Sequence, residues 1–132
     1  MFVGEDAMAE NGTVLVADDD PIVVERIREV IGELGYRVIS HDDGLGLSAV
    51  ILRERPDVVL VDVMMPRLSG DQIVSLIKEN NLFEDLNIIY ILFSSKDEAT
   101  LRDLVEQSGA EGAIPKSVSD EKLKERFLRL VQ

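Results

Sequence analysis

Cysteine is missing from all 132 residues. Its absence removes disulfides, thiolate metal sites and a cysteine nucleophile together. Histidine is nearly missing: His41 stands alone, so a metal centre built on several imidazoles is excluded. Cations are scarce as well. Fourteen Lys and Arg face 26 Asp and Glu, giving a net charge of −12. Such a surface repels phosphate backbones and anionic bilayers, so neither direct nucleic-acid binding nor membrane binding is expected. The first twelve residues carry acids where a secretory leader needs a basic stretch. The longest apolar run, Ile88 to Phe93, is far short of a bilayer span. A cytoplasmic location is the expectation. With 45% apolar and 30% charged residues, the chain fits one globular domain of ordinary size.

Residues 1–12 are rich in acid, Gly and Ala, with little apolar pattern, and are expected to form a flexible acidic tail before a domain spanning 13–132. Thr13 to Ala17 is short, β-branched and apolar throughout, the mark of a strand buried on both faces. Pro21 is placed to open a helix. Ile22, Val23, Ile27, Val30, Ile31 and Leu34 recur at helical spacing up to Gly35. A weaker strand follows at Arg37 to Ser40. A helix over Leu45 to Arg53 would present Leu45, Ala49 and Leu52 on one face. Asp57 to Val61 is a buried strand. Ile73, Leu76 and Ile77 mark a third helix. Asn87 to Phe93 is a strand, Ala99 to Gln107 a helix closed by Gly109, and Ala113 to Pro115 a short last strand. Ser119 caps a final helix whose apolar face is Leu123, Phe127, Leu130 and Val131. Five alternations of apolar strand and amphipathic helix predict an α/β fold: a doubly wound parallel sheet with helices on both faces.

Ligands of such sheets bind at the carboxyl ends of the strands. Strand one runs into Asp18, Asp19 and Asp20, strand three into Asp62 and strand four into Ser94; strand five ends beside Lys116. Clustered carboxylates repel one another unless a cation intervenes. Hard oxygen donors without thiolate or imidazole point to Mg²⁺ or a similar ion. Asp19 and Asp62 suit direct ligation, and Asp18 can hold a ligand water. Asp20, just before Pro21, reads as a helix cap instead. A carboxylate beside a hard cation, with an ammonium and a hydroxyl, is a set suited to phosphoryl transfer, Asp62 being the nucleophile. Lys116 would neutralise phosphoryl oxygens and Ser94 would hydrogen-bond one of them.

These segments resemble the receiver domain of two-component response regulators. VLVADDDP is similar to the family's first strand and acidic pair, at Asp18 and Asp19. VLVDVMMPRLSG fits the pattern Asp-x-x-Met-Pro-x-x-x-Gly through Asp62, Met65, Pro66 and Gly70. FSSKD resembles the segment that supplies a switch hydroxyl, here Ser94. SGAEGAIPK resembles the segment ending in the active-site lysine, here Lys116. The resemblance covers residues 13–131. It implies a flavodoxin-like five-stranded sheet of order 2-1-3-4-5. It implies Mg²⁺ held by Asp18, Asp19, Asp62 and the backbone carbonyl of Met64. It further implies a signalling domain that catalyses only its own phosphorylation and dephosphorylation. The phosphoryl group would come from a sensor histidine kinase or phosphotransfer protein, and the output would be contact with a downstream protein or a second copy.

Two positions depart from the family pattern. The switch aromatic, three residues before the lysine, falls on Ala113, and the proline after the lysine falls on Ser117. They motivate an alternative in which the domain is a phosphorylation-independent interaction module. An aspartyl-phosphate phosphatase is disfavoured, because Met64 stands where that chemistry would place a second acid. Met64 and Met65 are expected to pack, and His41 to lie at a surface or strand edge.

Overall fold

Strands that are apolar at every position need cover on both sides, and the chain supplies it from the helices between them. The computed structural model describes residues 10–132. Its strands are β1 (Gly12–Ala17), β2 (Tyr36–His41), β3 (Val58–Val61), β4 (Ile89–Ser94) and β5 (Gly112–Pro115). Its helices are α1 (Pro21–Gly32), α2 (Leu47–Glu54), α3 (Gly70–Glu79), α4 (Glu98–Ser108) and α5 (Asp120–Val131). All strand pairs are parallel, in the order β2-β1-β3-β4-β5. This is the predicted doubly wound architecture. No described helix is long and apolar enough to cross a membrane.

Side-chain alternation divides the core into two layers. Val14, Val16, Leu60, Ile91 and Phe93 join Ile27, Val30 and Ile31 of α1 and Leu123 and Phe127 of α5. Leu15, Ala17, Val59, Val61 and Leu92 join Val50, Ile73, Val74, Ile77 and Leu101 on the opposite side. Asp20 caps α1 by accepting from the Ile22 N–H, as predicted, and Ser119 caps α5 by accepting from the Lys122 N–H. Gly109 ends α4 in the left-handed conformation, with φ +83°.

Several local expectations are corrected. Helix α2 begins at Leu47, behind a left-handed Gly46, and buries Leu47, Val50 and Ile51. Leu45 and Leu52 are exposed, as is Ala49. Both sets of apolar residues have helical spacing, and it is Leu47, Val50 and Ile51 that pack against the sheet side. Ile22 is 79% exposed and Leu76 is exposed too; Val74 takes its place inside. Asp57 stands outside β3 and instead accepts the Thr13 N–H at 2.8 Å. A single 3-10 turn at Glu84–Leu86 precedes β4, which therefore begins at Ile89. Strand β1 reaches back to Gly12, and the Glu10 and Asn11 N–H groups bond to the Gly35 carbonyl. The rest of the expected tail, residues 1–9, lies outside the described residues. His41 closes the edge strand β2, as expected, with Nε2 2.8 Å from the Leu45 carbonyl oxygen.

Candidate functional site

The strand register sets the site. Ala17 pairs with Val61, so the chain steps out of β1 and β3 at the same height, onto Asp18 and Asp62. The ladder runs one residue further: the Asp18 N–H donates to the His41 carbonyl (3.1 Å) and the Asp62 N–H to the Ala17 carbonyl (2.9 Å). Both acids are therefore held by backbone as well as by packing, and they are only 2% and 5% exposed. Gly70 permits the tight return behind Asp62. Its N–H donates to the Asp62 carbonyl at 3.0 Å. A Cβ at Gly70 would stand 2.4 Å from that same oxygen, so only glycine fits.

Strand β5 delivers the cation. Ser94 pairs with Pro115, and the Lys116 N–H donates to the Ser94 carbonyl at 2.7 Å. Lys116 Nζ then lies 2.7 Å from Asp18 Oδ2 and 3.3 Å from Asp62 Oδ2. Asp62 Oδ1 accepts the Met64 N–H at 3.1 Å, and Asp18 Oδ1 accepts the Asp20 N–H at 2.9 Å. Ser94 is fully buried, its Oγ accepting a long bond from the Lys96 N–H (3.4 Å). The Lys116–Ser117 peptide bond is trans. Asp18, Asp19, Asp62, Ser94 and Lys116 are thus gathered at one end of the sheet. Asp20 is separate, occupied as the α1 cap.

Burial raises the Asp18 pKa above its ordinary 3.8, against the opposing pull of Lys116 and the Asp20 N–H; Asp62 adds to the rise. Burial works the other way on Lys116, but the Asp18 and Asp62 carboxylates outweigh it, and its pKa is raised above 10.5. A raised carboxyl pKa has a defined consequence for stability. Protonation of Asp18 favours the fold; that contribution is complete below 3.8 and is lost as pH rises through the higher folded-state value. The neutral variant Asp18→Asn is therefore expected to melt at a higher temperature than the parent at pH 7 without metal. The difference should shrink as pH falls towards 3.8. Melting curves across that range check it, and a lower melting temperature at pH 7 contradicts it.

One ligand oxygen each from Asp18, Asp19 and Asp62 can be chosen so that all lie within 4.8 Å of one another. Three carboxylates against one ammonium leave an uncompensated negative charge, and two of the three are buried. An all-oxygen set of this kind fits a hard divalent cation such as Mg²⁺. Met65 is buried, as expected; Met64 is 59% exposed and does not pack, since the β3–α3 loop carries its side chain over the Ser95 hydroxyl, 3.9 Å from Sδ. One residue at the rim escapes the sequence reading. Arg26 of α1 donates to the carbonyls of Lys116 (Nη1, 2.7 Å) and Val118 (Nη2, 2.6 Å), and its Nε donates to Asp120 (2.9 Å). Its only sequence signal is a cation one position before the buried Ile27, in the helix that follows the acid run.

Known proteins share this chain's sequence pattern and fold. The family model described as the response regulator receiver domain matches residues 14–128. The response regulator MprA of Mycobacterium sp. (strain KMS) is 33% identical over 119 residues, covering 90% of this chain and 50% of that protein. The chain thus spans about half the length of the curated relatives it matches. Among solved structures, the BeF3-activated N-terminal receiver domain of Klebsiella pneumoniae RstA superposes with a TM-score of 0.78 at 25% identity, covering 91% of this chain and 98% of that one. Chemotaxis response regulator CheY4 of Vibrio cholerae, at 23% identity, shares the fold with a TM-score of 0.78, covering 93% and 98%.

Proposed function

From the premise that this chain belongs to the response regulator receiver domain family, we propose that it accepts a phosphoryl group on Asp62, within a domain spanning 13–132. The observation that carries this reading is the convergence of Asp18, Asp19 and Asp62 with Lys116 2.7 and 3.3 Å from two of them. That constellation is what transfer to a carboxylate requires.

A carboxylate oxygen of Asp62 attacks phosphorus as the bond from phosphorus to the donor breaks. The electron pair of that bond leaves with the donor, an imidazole when the donor is the phosphohistidine of a kinase or phosphotransfer protein. The product is an acyl phosphate on Asp62, which water later returns to carboxylate and inorganic phosphate. The Met64 N–H holds Asp62 Oδ1 and so fixes the orientation of the nucleophile. Lys116, already poised between two acids, moves its charge to the incoming phosphoryl oxygens. The buried Ser94 hydroxyl donates to one of those oxygens in the product. Asp18, Asp19, Asp62 and the Met64 carbonyl would hold Mg²⁺. When bound, the ion supplies positive charge against the phosphoryl oxygens and lowers the repulsion between donor and acid cluster.

The added charge, about −1.5 to −2, is then read by a downstream protein. The intact acid–ammonium set favours this reading over a phosphorylation-independent module. Intact mass after incubation with acetyl phosphate tests it. The expected result is a gain of one phosphoryl group that requires Mg²⁺ and maps to the peptide containing Asp62. No gain by folded, Mg²⁺-bound protein would overturn the proposal.

A further inference from the structure

Arg26 donates to the carbonyls on both sides of Ser117. Resting on the reading of Asp62 as phosphoacceptor, we infer that Arg26 is a positioning residue for Lys116. The link from β5 to α5 is a short turn carrying Lys116 at its start. Ser117 leaves that turn free to rotate about φ, where a proline ring would lock it. Another restraint is needed if the ammonium is to stay against two buried carboxylates. The backbone of Lys116 is held on both sides. Its N–H is tied to β4 through the Ser94 carbonyl (2.7 Å), and its C=O is tied to α1 through Arg26 Nη1 (2.7 Å).

The same guanidinium spans Ser117 to take the Val118 carbonyl and anchors on Asp120 in the first turn of α5. One planar fork therefore fixes three points around the turn. Helix α1 is also continuous with the acid run, since Asp20 is its cap. Arg26 thus fastens the lysine's turn to the very segment that carries Asp18 and Asp19. The anchor Asp120 is mostly exposed and Arg26 about a quarter exposed, so the device lies at the rim, outside the reacting atoms.

The test compares Arg26→Met and Arg26→Lys with the parent chain. Phosphoryl gain from acetyl phosphate is timed by intact mass at saturating Mg²⁺, and Mg²⁺ affinity is read from amide shifts around Asp18 and Asp62. A misplacement of about 1 Å can cost about 10²-fold in rate, so Arg26→Met is expected to slow the gain by roughly 10- to 100-fold. Mg²⁺ affinity should be unchanged or tighter, because a loosened Lys116 competes less for the carboxylates. Arg26→Lys, keeping a charge and a reduced set of donors, should recover part of the rate. A role in general stability would weaken Mg²⁺ binding and rate together. That parallel loss, or an Arg26→Met rate equal to the parent's, overturns the inference while the labelled parent leaves Asp62 standing. If Arg26→Met does not fold, Arg26→Lys decides alone: slowed labelling with intact Mg²⁺ binding supports the inference, and an unchanged rate overturns it. An unlabelled parent would remove the reading of Asp62 and this inference with it.

Discussion

Asp62→Asn is expected to gain no phosphoryl group from acetyl phosphate under conditions that label the parent fully, a drop on the order of 10³-fold or more in rate. Asparagine is close in shape, and its carbonyl oxygen can still accept the Met64 N–H that Asp62 Oδ1 accepts at 3.1 Å. What it loses is the anionic nucleophile. Its neighbours are poor substitutes. Asp18 is almost fully buried, with Oδ2 against the lysine at 2.7 Å. Asp19 faces water, whose hydrogen bonds dull its nucleophilicity. The variant should fold well, because the charge of Asp62 is one of the influences that raise the Asp18 pKa, and removing it relieves that repulsion. Mg²⁺ should bind more weakly, with one carboxylate gone from the set. Intact mass and a metal titration on the same sample separate these effects. Labelling of Asp62→Asn at full stoichiometry would show that the acceptor lies elsewhere.

The second large effect concerns stability. Phe127 of α5 is completely buried in the layer formed by α1, α5 and one face of the sheet. Its ring meets Tyr36 edge to face, with centroids 5.2 Å apart and planes at 85°, the arrangement that aromatic quadrupoles favour. Phe127→Ala removes that contact and leaves a ring-sized hole between helix and sheet. The expected loss is about 3–5 kcal/mol, a large fraction of the ~5–15 kcal/mol that such domains possess. With a urea slope of about 1–3 kcal/mol/M, the unfolding midpoint should fall by roughly 2 M. A circular dichroism titration measures it. A loss under about 1 kcal/mol would mean that the layer closes over the hole.

How legible all this was in the sequence depended on the range of the interaction. Strands β1 and β3 were readable because their buried apolar runs, Val14–Ala17 and Val58–Val61, each end in acid, a pattern set by two-sided burial. The candidate acids followed from the rule about strand ends, and the register of β1 and β3 sets Asp18 and Asp62 at one height. The face of α2 was misread because Ala49 and Leu52 are as apolar and as helically spaced as Leu47, Val50 and Ile51, and only packing against the sheet decides which set turns inward. The exposure of Ile22 and Leu76 depends on where neighbouring helices stop covering them. The 3-10 turn at Glu84–Leu86 has no periodicity to detect. The contact between Lys116 and Asp18 joins residues almost a hundred positions apart, and so does the grip of Arg26 on the turn after β5. Pairings of that kind exist only once the sheet has been assembled.

The sheet's two margins have a consequence for how the chain behaves in company. On one side β5 is four residues long and finishes in Pro115, which has no N–H to offer a further strand. On the other, β2 carries Arg37, Ser40 and His41, and Arg28 of α1 donates to the Val38 carbonyl at 2.7 Å, occupying one of its backbone acceptors. Neither margin is the long, flat, apolar ribbon on which strands add from one molecule to the next. Growth by sheet extension, the route to fibres and swapped aggregates, is therefore discouraged at both ends.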